Sequence, residues 1–317
     1  MPYSDGLDSL AVARLLQHSQ SERETLILVT TGTWTDADQE RSRLPGGRVR
    51  VAVPFRLSEV SSPVRLREPS YRSRAFVYGA LAGLAVSLAG GSRVLIPESG
   101  QSSLGPALCP VGGEAIDLRS HPQFTAELGD FLSRLLETEI VFDHPRLWTT
   151  KGETLAELQQ LGLNDRWQLT RSCPRSTRHV KLGGARVHCG VCAACLLRRQ
   201  SLLKAGFSEP EPYQWPRLSA PSLAEAAAAG ARPTTLDDLR HAVCGALCME
   251  HLARLAAERS ELPFRQAAAD LPSVVGGLDE VIGKLRRLVR AHQAEWQTFV
   301  AAQGAESFIA DLLEKVS

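Results

Sequence analysis

Four of the seven cysteines stand where a single cation could gather them. Cys173 is followed, after fifteen intervening residues, by Cys189, Cys192 and Cys195 in the run H-C-G-V-C-A-A-C-L-L-R-R. Two consecutive C-x-x-C spacings let three thiolates converge through a tight turn, and a fourth from a distant loop completes a tetrahedron. Zinc is the metal this donor set predicts. Four thiolates leave no open position for a substrate, so the expected role is structural rather than catalytic. An iron–sulfur cluster takes the same four ligands, and spacing alone does not separate the two. His179 or His188 would be the fourth ligand in place of Cys173 if the insert between them folds differently.

The second chemical signal is Ser4-Asp5-Gly6-Leu7-Asp8-Ser9, directly before an apolar stretch of helical period. A serine-rich turn that opens a helix offers unpaired backbone N–H groups and the positive end of the helix dipole to an anion. Hydroxyls of Ser4 and Ser9 add donors, and Asp8 can hold a phosphate-bound magnesium or cap the helix. An ordinary Ser/Asp N-cap has the same composition, and the six residues alone leave both readings open.

The elements that must position these groups follow an α/β pattern as far as about Gly206. Strands are predicted at Thr25 to Thr30, Arg48 to Phe55, Ser92 to Pro97 and Glu139 to Phe142. Helices are predicted at Ser9 to His18, Ser73 to Ala89, Pro122 to Leu136 and Lys151 to Leu161. The fold expected is a doubly wound, largely parallel sheet over residues 1–207, carrying the zinc segment at 173–199. A proline-rich and acidic linker at 208–221 then leads to an all-helical domain at 222–317. In that tail, Val281, Ile282, Leu285, Leu288, Val289, Trp296, Phe299 and Val300 share one face of a long helix. Lys284, Arg286, Arg287 and Arg290 line the other, read as a solvated face. Cys244 and Cys248, four apart and in line with Leu252, are read as core thiols.

The formal charge of +1 on 317 residues gives no global field toward nucleic acid or an anionic membrane, so a nucleic-acid partner is not expected. No apolar run is long enough to span a bilayer, and the polar Met1 to Asp8 is not a leader pattern; a cytoplasmic protein with reduced thiols is expected.

The hexapeptide resembles the SGGxDS loop of the N-type ATP pyrophosphatases, with Ser4, Gly6, Asp8 and Ser9 matching and Asp5 standing where the family has glycine. Such a loop normally follows a buried strand, yet only Met1-Pro2-Tyr3 precede Ser4; either the true start lies upstream or the sheet lacks a strand. Ser172-Cys173, Cys189-Gly190, Cys192, Cys195 and Arg198 are similar to the S-C…C-G-x-C-x-x-C-x-x-R pattern of the QueC branch, 7-cyano-7-deazaguanine synthases. Lys151-Gly152-Glu153 is similar to that branch's T-K-x-E segment. The segments Glu68 to Arg74, Ile96 to Gly100 and Leu118 to Pro122 resemble the QatC group of QueC-like proteins found in an anti-phage operon.

The resemblance implies an adenine nucleotide alpha hydrolase-like fold and the use of ATP, magnesium and zinc. It implies adenylation of a deazaguanine carboxylate followed by capture by an amine, with other proteins of a defence operon as further partners. Ser4, Asp5, Gly6, Leu7, Asp8 and Ser9 would cradle the phosphates, with Asp8 and Lys151 nearest the reacting groups. Arg72 and Arg74 are further cationic clamps. Thr31 and Gly32, after a strand, are placed for the adenosine, and Glu98 for ring N–H groups of a purine-like substrate. His121 either transfers a proton or caps a helix. The alternative is a catalytically degenerate nucleotide-binding scaffold, to which Asp5 points. An ATP pyrophosphatase working on tRNA would need a basic surface, and a zinc-ribbon nucleic-acid binder would leave the α/β segment without purpose.

Overall fold

The computed structural model describes residues 1–4, 6–19, 24–31, 50–53, 71–110, 118–175, 180–209 and 212–315. Helix α1 (Leu7–Ser19) is followed by strand β1 (Leu28–Thr31), which pairs in parallel with β2 (Arg50–Val53), Val29 opposite Val51. The other edge of β1 is taken by the first residues of the chain. Tyr3 N–H donates to Val29 O at 2.7 Å, Val29 N–H donates to Met1 O at 2.9 Å, and Pro2 bridges Val29 in parallel. Three residues therefore supply the strand stub before the Ser4 turn that the sequence seemed to lack. Proline is tolerated there because the ladder bonds use the groups of its neighbours.

Helix α2 (Tyr71–Leu88) leads to β3 (Arg93–Leu95), two one-turn helices α3 (Gly100–Ser103) and α4 (Gly105–Leu108), then α5 (Pro122–Leu136) and β4 (Val141–Asp143), parallel to β3. Val29, Val94 and Ile140 share a core with Ala82 of α2 and with Leu128 and Leu132 of α5. A Cβ on Gly79 would lie 2.5 Å from Leu128 Cδ2, so the two helices cross as closely as glycine permits. Strand and helix periods thus land where expected, but the single doubly wound sheet is represented, among the described residues, by two parallel pairs of three to four residues. Pro97 cuts β3 short, since a proline cannot extend a ladder.

Helix α6 (Lys151–Gln160) packs Leu155 and Leu158 against Leu7, Leu10 and Leu15 of α1, with Leu202 of α7 (Ala193–Lys204) completing that core. A short hairpin, β5 (Lys181–Leu182) and β6 (Ala185–Arg186), precedes the cysteine turn. Residues 212–221 run along that turn: Gln214 N–H donates to His188 O at 2.9 Å and Trp215 N–H to Cys189 O at 3.0 Å, with Trp215 fully buried. The helices α8 (Leu236–Arg254), α9 (Leu262–Ala269), α10 (Leu278–Gln303) and α11 (Phe308–Lys315) follow. Ala242, Ala246, Met249, Trp296, Phe299 and Phe308 share one core with the four cysteines, so the helical tail closes over the thiol cluster. Arg175, beside Cys173, is tied to Asp238 of α8 at 2.7 Å. On α10 the predicted apolar face is buried, Val300 only in part. No helix among the described residues is long and apolar enough to cross a membrane.

Candidate functional site

The turn at Ser4 is closed by its own hydroxyls. Ser4 Oγ lies 2.9 Å from Ser9 Oγ and accepts from Gly6 N–H at 3.1 Å, while Leu10 N–H donates to Gly6 O at 3.2 Å to begin α1. A side chain at Gly6 would meet Ser4 Oγ at 2.9 Å. Asp8, in the first turn of α1, points its Oδ2 at Lys151 Nζ, 2.7 Å away. Lys151 is 5% exposed and opens α6, whose start is encoded locally: Glu153 N–H donates to Thr150 Oγ1 at 3.0 Å and Thr150 N–H to Glu153 Oε2 at 2.8 Å, a capping box. The T-K-x-E segment noted in the sequence spells that box, with Thr150 and Glu153 as its two ends.

Glu98 stands beside this pair, past the end of β3. Burial, then the negative charge of Asp8, pushes its carboxyl up to about 7, against the smaller opposing pull of Lys151 and Arg119. The loops after β3 and β4 are locked together, because Gly100 N–H donates to both Arg146 O and Thr149 O at 3.1 Å. The carboxyl ends of two parallel strands and the amino end of α1 therefore converge on Asp8, Glu98 and Lys151, the place where open α/β sheets bind ligands. A lysine paired with one carboxylate, with a second carboxyl group nearby and a helix N-terminus beside them, could hold an anion accompanied by a divalent metal. A surface groove lined by Leu15, His18, Arg146 and Glu157 lies toward the other end of α1 and takes no part in it.

The remaining predicted residues are dispersed. Thr31 ends β1, and Gly32 and Asp5 lie outside the described residues. Arg74 is exposed in the first turn of α2; the side chain of Arg72 lies outside the described ones. His121 is the N-cap of α5, its Nδ1 accepting from Gln123 N–H at 3.3 Å, and burial lowers its basicity. Of the two roles open to it, the cap is the one its contacts display.

Cys173, Cys189, Cys192 and Cys195 bring their sulfur atoms within 4.8 Å of one another, all four buried. Cys189 Sγ and Cys195 Sγ are 3.6 Å apart, near the edge of about 3.8 Å of a tetrahedron with 2.3 Å zinc–sulfur bonds. Backbone N–H groups point at the sulfurs as they do at thiolates: Cys192 N–H at 3.3 Å from Cys189 Sγ, and Cys189 N–H at 3.5 Å from Cys173 Sγ. Hydrogen bonds from Cys189, Cys192 and Cys195 hold the Cys173 thiol well below its ordinary range, while burial, then the three neighbouring sulfurs, push Cys195 well above. Four buried sulfurs converging at this spacing could hold a divalent cation. His188 is no substitute ligand, since its Nε2 accepts from Ser172 N–H at 3.0 Å; His179 lies outside the described residues. Cys244 and Cys248 are half-buried and stand outside the four-thiol group. Arg198, fully buried, ties the segment to the core through Thr170 Oγ1 at 2.7 Å and the carbonyl of Trp167 at 3.3 Å.

A family model described as "Queuosine biosynthesis protein QueC" matches residues 111–206. The 7-cyano-7-deazaguanine synthase of Methanothermobacter thermautotrophicus is 32% identical over 108 residues, which is 33% of this chain and 44% of that protein. The chain thus spans less than half the length of that relative. The matched segment of the family model contains Lys151 and all four cysteines; the Ser4 turn and Glu98 lie before it. Over residues 111–206, which carry Lys151 and the four clustered cysteines, the chain is similar to QueC proteins.

Proposed function

We propose that this chain binds ATP with magnesium at the Ser4 turn and uses it to adenylate a carboxylate of the deazaguanine type, which an amine then captures. The observation that carries the proposal is the buried Lys151–Asp8 pair, which sets a lysine of the QueC-like segment against the N-terminus of α1. The Gly6 N–H and the hydroxyls of Ser4 and Ser9 would exchange their mutual hydrogen bonds for pyrophosphate oxygens. Lys151 would turn from Asp8 to the phosphates, a charge-assisted contact strengthened by its burial. Asp8 and Glu98 are the oxygen donors for magnesium, which when bound neutralises phosphate charge. A substrate carboxylate oxygen then attacks the α-phosphorus as the bond to pyrophosphate breaks, and an amine nitrogen displaces AMP from the acyl carbon. Ammonia gives the amide, and a second ATP would carry its dehydration to a nitrile. In a defence operon of the QatC kind, the amine would instead belong to a partner protein.

The test is pyrophosphate release from ATP with 7-carboxy-7-deazaguanine present, for wild type and Asp8→Ala. Release well above background in the wild type and lost in the variant is expected. Equal background release from both would refute turnover and leave the second reading, a nucleotide-binding scaffold, which Asp5 in the phosphate turn favours.

A further inference from the structure

Three polar side chains of α10, Arg287, His292 and Glu295, reach the turn that carries Lys151, two of them buried among the apolar residues of that helix. Arg287 donates from Nη1 to Trp148 O at 2.9 Å and to Glu153 Oε2 at 2.8 Å, and pairs through Nη2 with the other oxygen of the same carboxylate. Glu295, 4% exposed, accepts from the Thr150 hydroxyl, and a Cβ on Gly152 would meet its Oε1 at 2.6 Å. His292, fully buried, reaches the turn through Gln101. Its Nε2 faces the Met249 carbonyl at 2.8 Å, and a carbonyl can only accept, so the proton sits on Nε2 and Nδ1 is the acceptor. The amide nitrogens of Gln101, at 2.7 Å, and of Gln200, at 3.2 Å, both face Nδ1 as donors, and with its nitrogen there Gln101 turns its Oε1 to accept from Lys151 N–H at 2.8 Å. The tautomer of one histidine thereby dictates the orientation of the glutamine that holds the backbone of Lys151. Leu288 seals the arrangement: a Cβ on Gly100 would lie 2.7 Å from its Cδ2.

We infer that α10 is a positioning element for Lys151: Arg287, His292 through Gln101, and Glu295 through Thr150 fix the first turn of α6 so that the lysine amine meets Asp8. Buried polar groups carry a cost that apolar residues at these positions would avoid, so their concentration on one turn marks a requirement for placement there rather than for stability. The helical tail is in this view part of the anion site, although none of its residues faces the anion. The inference rests on the proposed function only in naming a nucleotide as what Lys151 serves.

The experiment uses the full chain with Gln101→Met, Glu295→Met, Glu295→Gln and Arg287→Met. Amide hydrogen exchange is read at residues 150–154, and affinity is read for magnesium with a non-hydrolysable ATP analogue. Loss of one hydrogen bond at this helix start is expected to speed exchange about tenfold in Gln101→Met and Glu295→Met, with exchange in α8 unchanged. Nucleotide affinity should fall in parallel, and Glu295→Gln, which keeps an oxygen for Thr150, should restore both. Arg287→Met, at a half-exposed position, removes no core packing and keeps the test alive if the buried variants fail to fold. Exchange at 150–154 that stays at the wild-type rate in every folded variant would overturn the inference. So would faster exchange with full nucleotide affinity. A wild type that binds no nucleotide would sink the proposed function, and the exchange arm would still decide whether α10 places Lys151.

Discussion

Two glycines in the helical tail should respond to the same substitution with opposite sign. Gly245 of α8 crosses the cysteine turn so closely that an added Cβ would lie 2.5 Å from Val191 O, 2.8 Å from Ala193 N and 2.9 Å from Cys192 C. All three are backbone atoms of the turn between two of the clustered thiols and cannot rotate aside. Reaching ordinary contact requires the helix or the turn to move by about 1 Å in a close-packed core. Such overpacking costs about 1–3 kcal/mol, against which the helix propensity gained on replacing glycine by alanine offsets about 1 kcal/mol. Gly245→Ala should therefore cost a net of up to about 2 kcal/mol and lower the melting temperature by up to roughly 4–8 °C, at about 2–4 °C per kcal/mol for a large domain. It should also weaken metal retention, because the displaced turn carries Cys192. Gly283 lies within α10 with nothing near the position of a Cβ. Gly283→Ala should collect only the propensity gain and raise the melting temperature by about 2–4 °C. Thermal unfolding by circular dichroism, with metal content by mass spectrometry before and after dialysis, reads both. If the two variants shift in the same direction, the packing of α8 on the cysteine turn is not as described.

Metal content itself is a second expectation: one zinc per chain, lost in Cys192→Ser together with several kcal/mol of stability, since the four sulfurs lie inside the core that α8, α10 and α11 close. Visible absorption in the purified protein would instead assign an iron–sulfur cluster. A third concerns Glu295, whose carboxyl burial pushes from 4.5 up to about 7. A carboxyl raised on folding stabilises fully below its unfolded value and loses that contribution as pH rises through its folded one, so wild type should weaken between about pH 4.5 and 7. Glu295→Gln lacks this loss. Its stability relative to wild type, from urea unfolding at pH 5 and pH 8, should improve by up to roughly 3 kcal/mol at the higher pH. A pH-independent difference would show that Glu295 is charged at no cost.

Local chemistry was legible from residue order. The spacing of Cys189, Cys192 and Cys195 is one turn of chain, so their convergence needed no tertiary information, and the addition of Cys173 required only that a distant loop return. The helices at 122–136 and 151–160 carry their own stop and start signals, and the T-x-x-E box places Lys151 at a helix start wherever that helix goes. The meeting of Lys151 with Asp8, 143 residues earlier, could be expected only by resemblance, because a lysine at a helix start has many possible partners.

What tertiary structure alone decided is the polar side of the helical tail. Arg287 read in sequence as part of a solvated face, and His292 and Glu295 carried no signal of their own, since charge on a helix face is by itself indistinguishable from solubility. Only the docking of α10 on the loops after β3 and β4 sets these three side chains against that turn, with Gly100 and Gly152 as the gaps that admit the helix. A helical period tells which residues share a face and nothing about what the face meets; in this chain, that unseen neighbour is the turn holding the lysine.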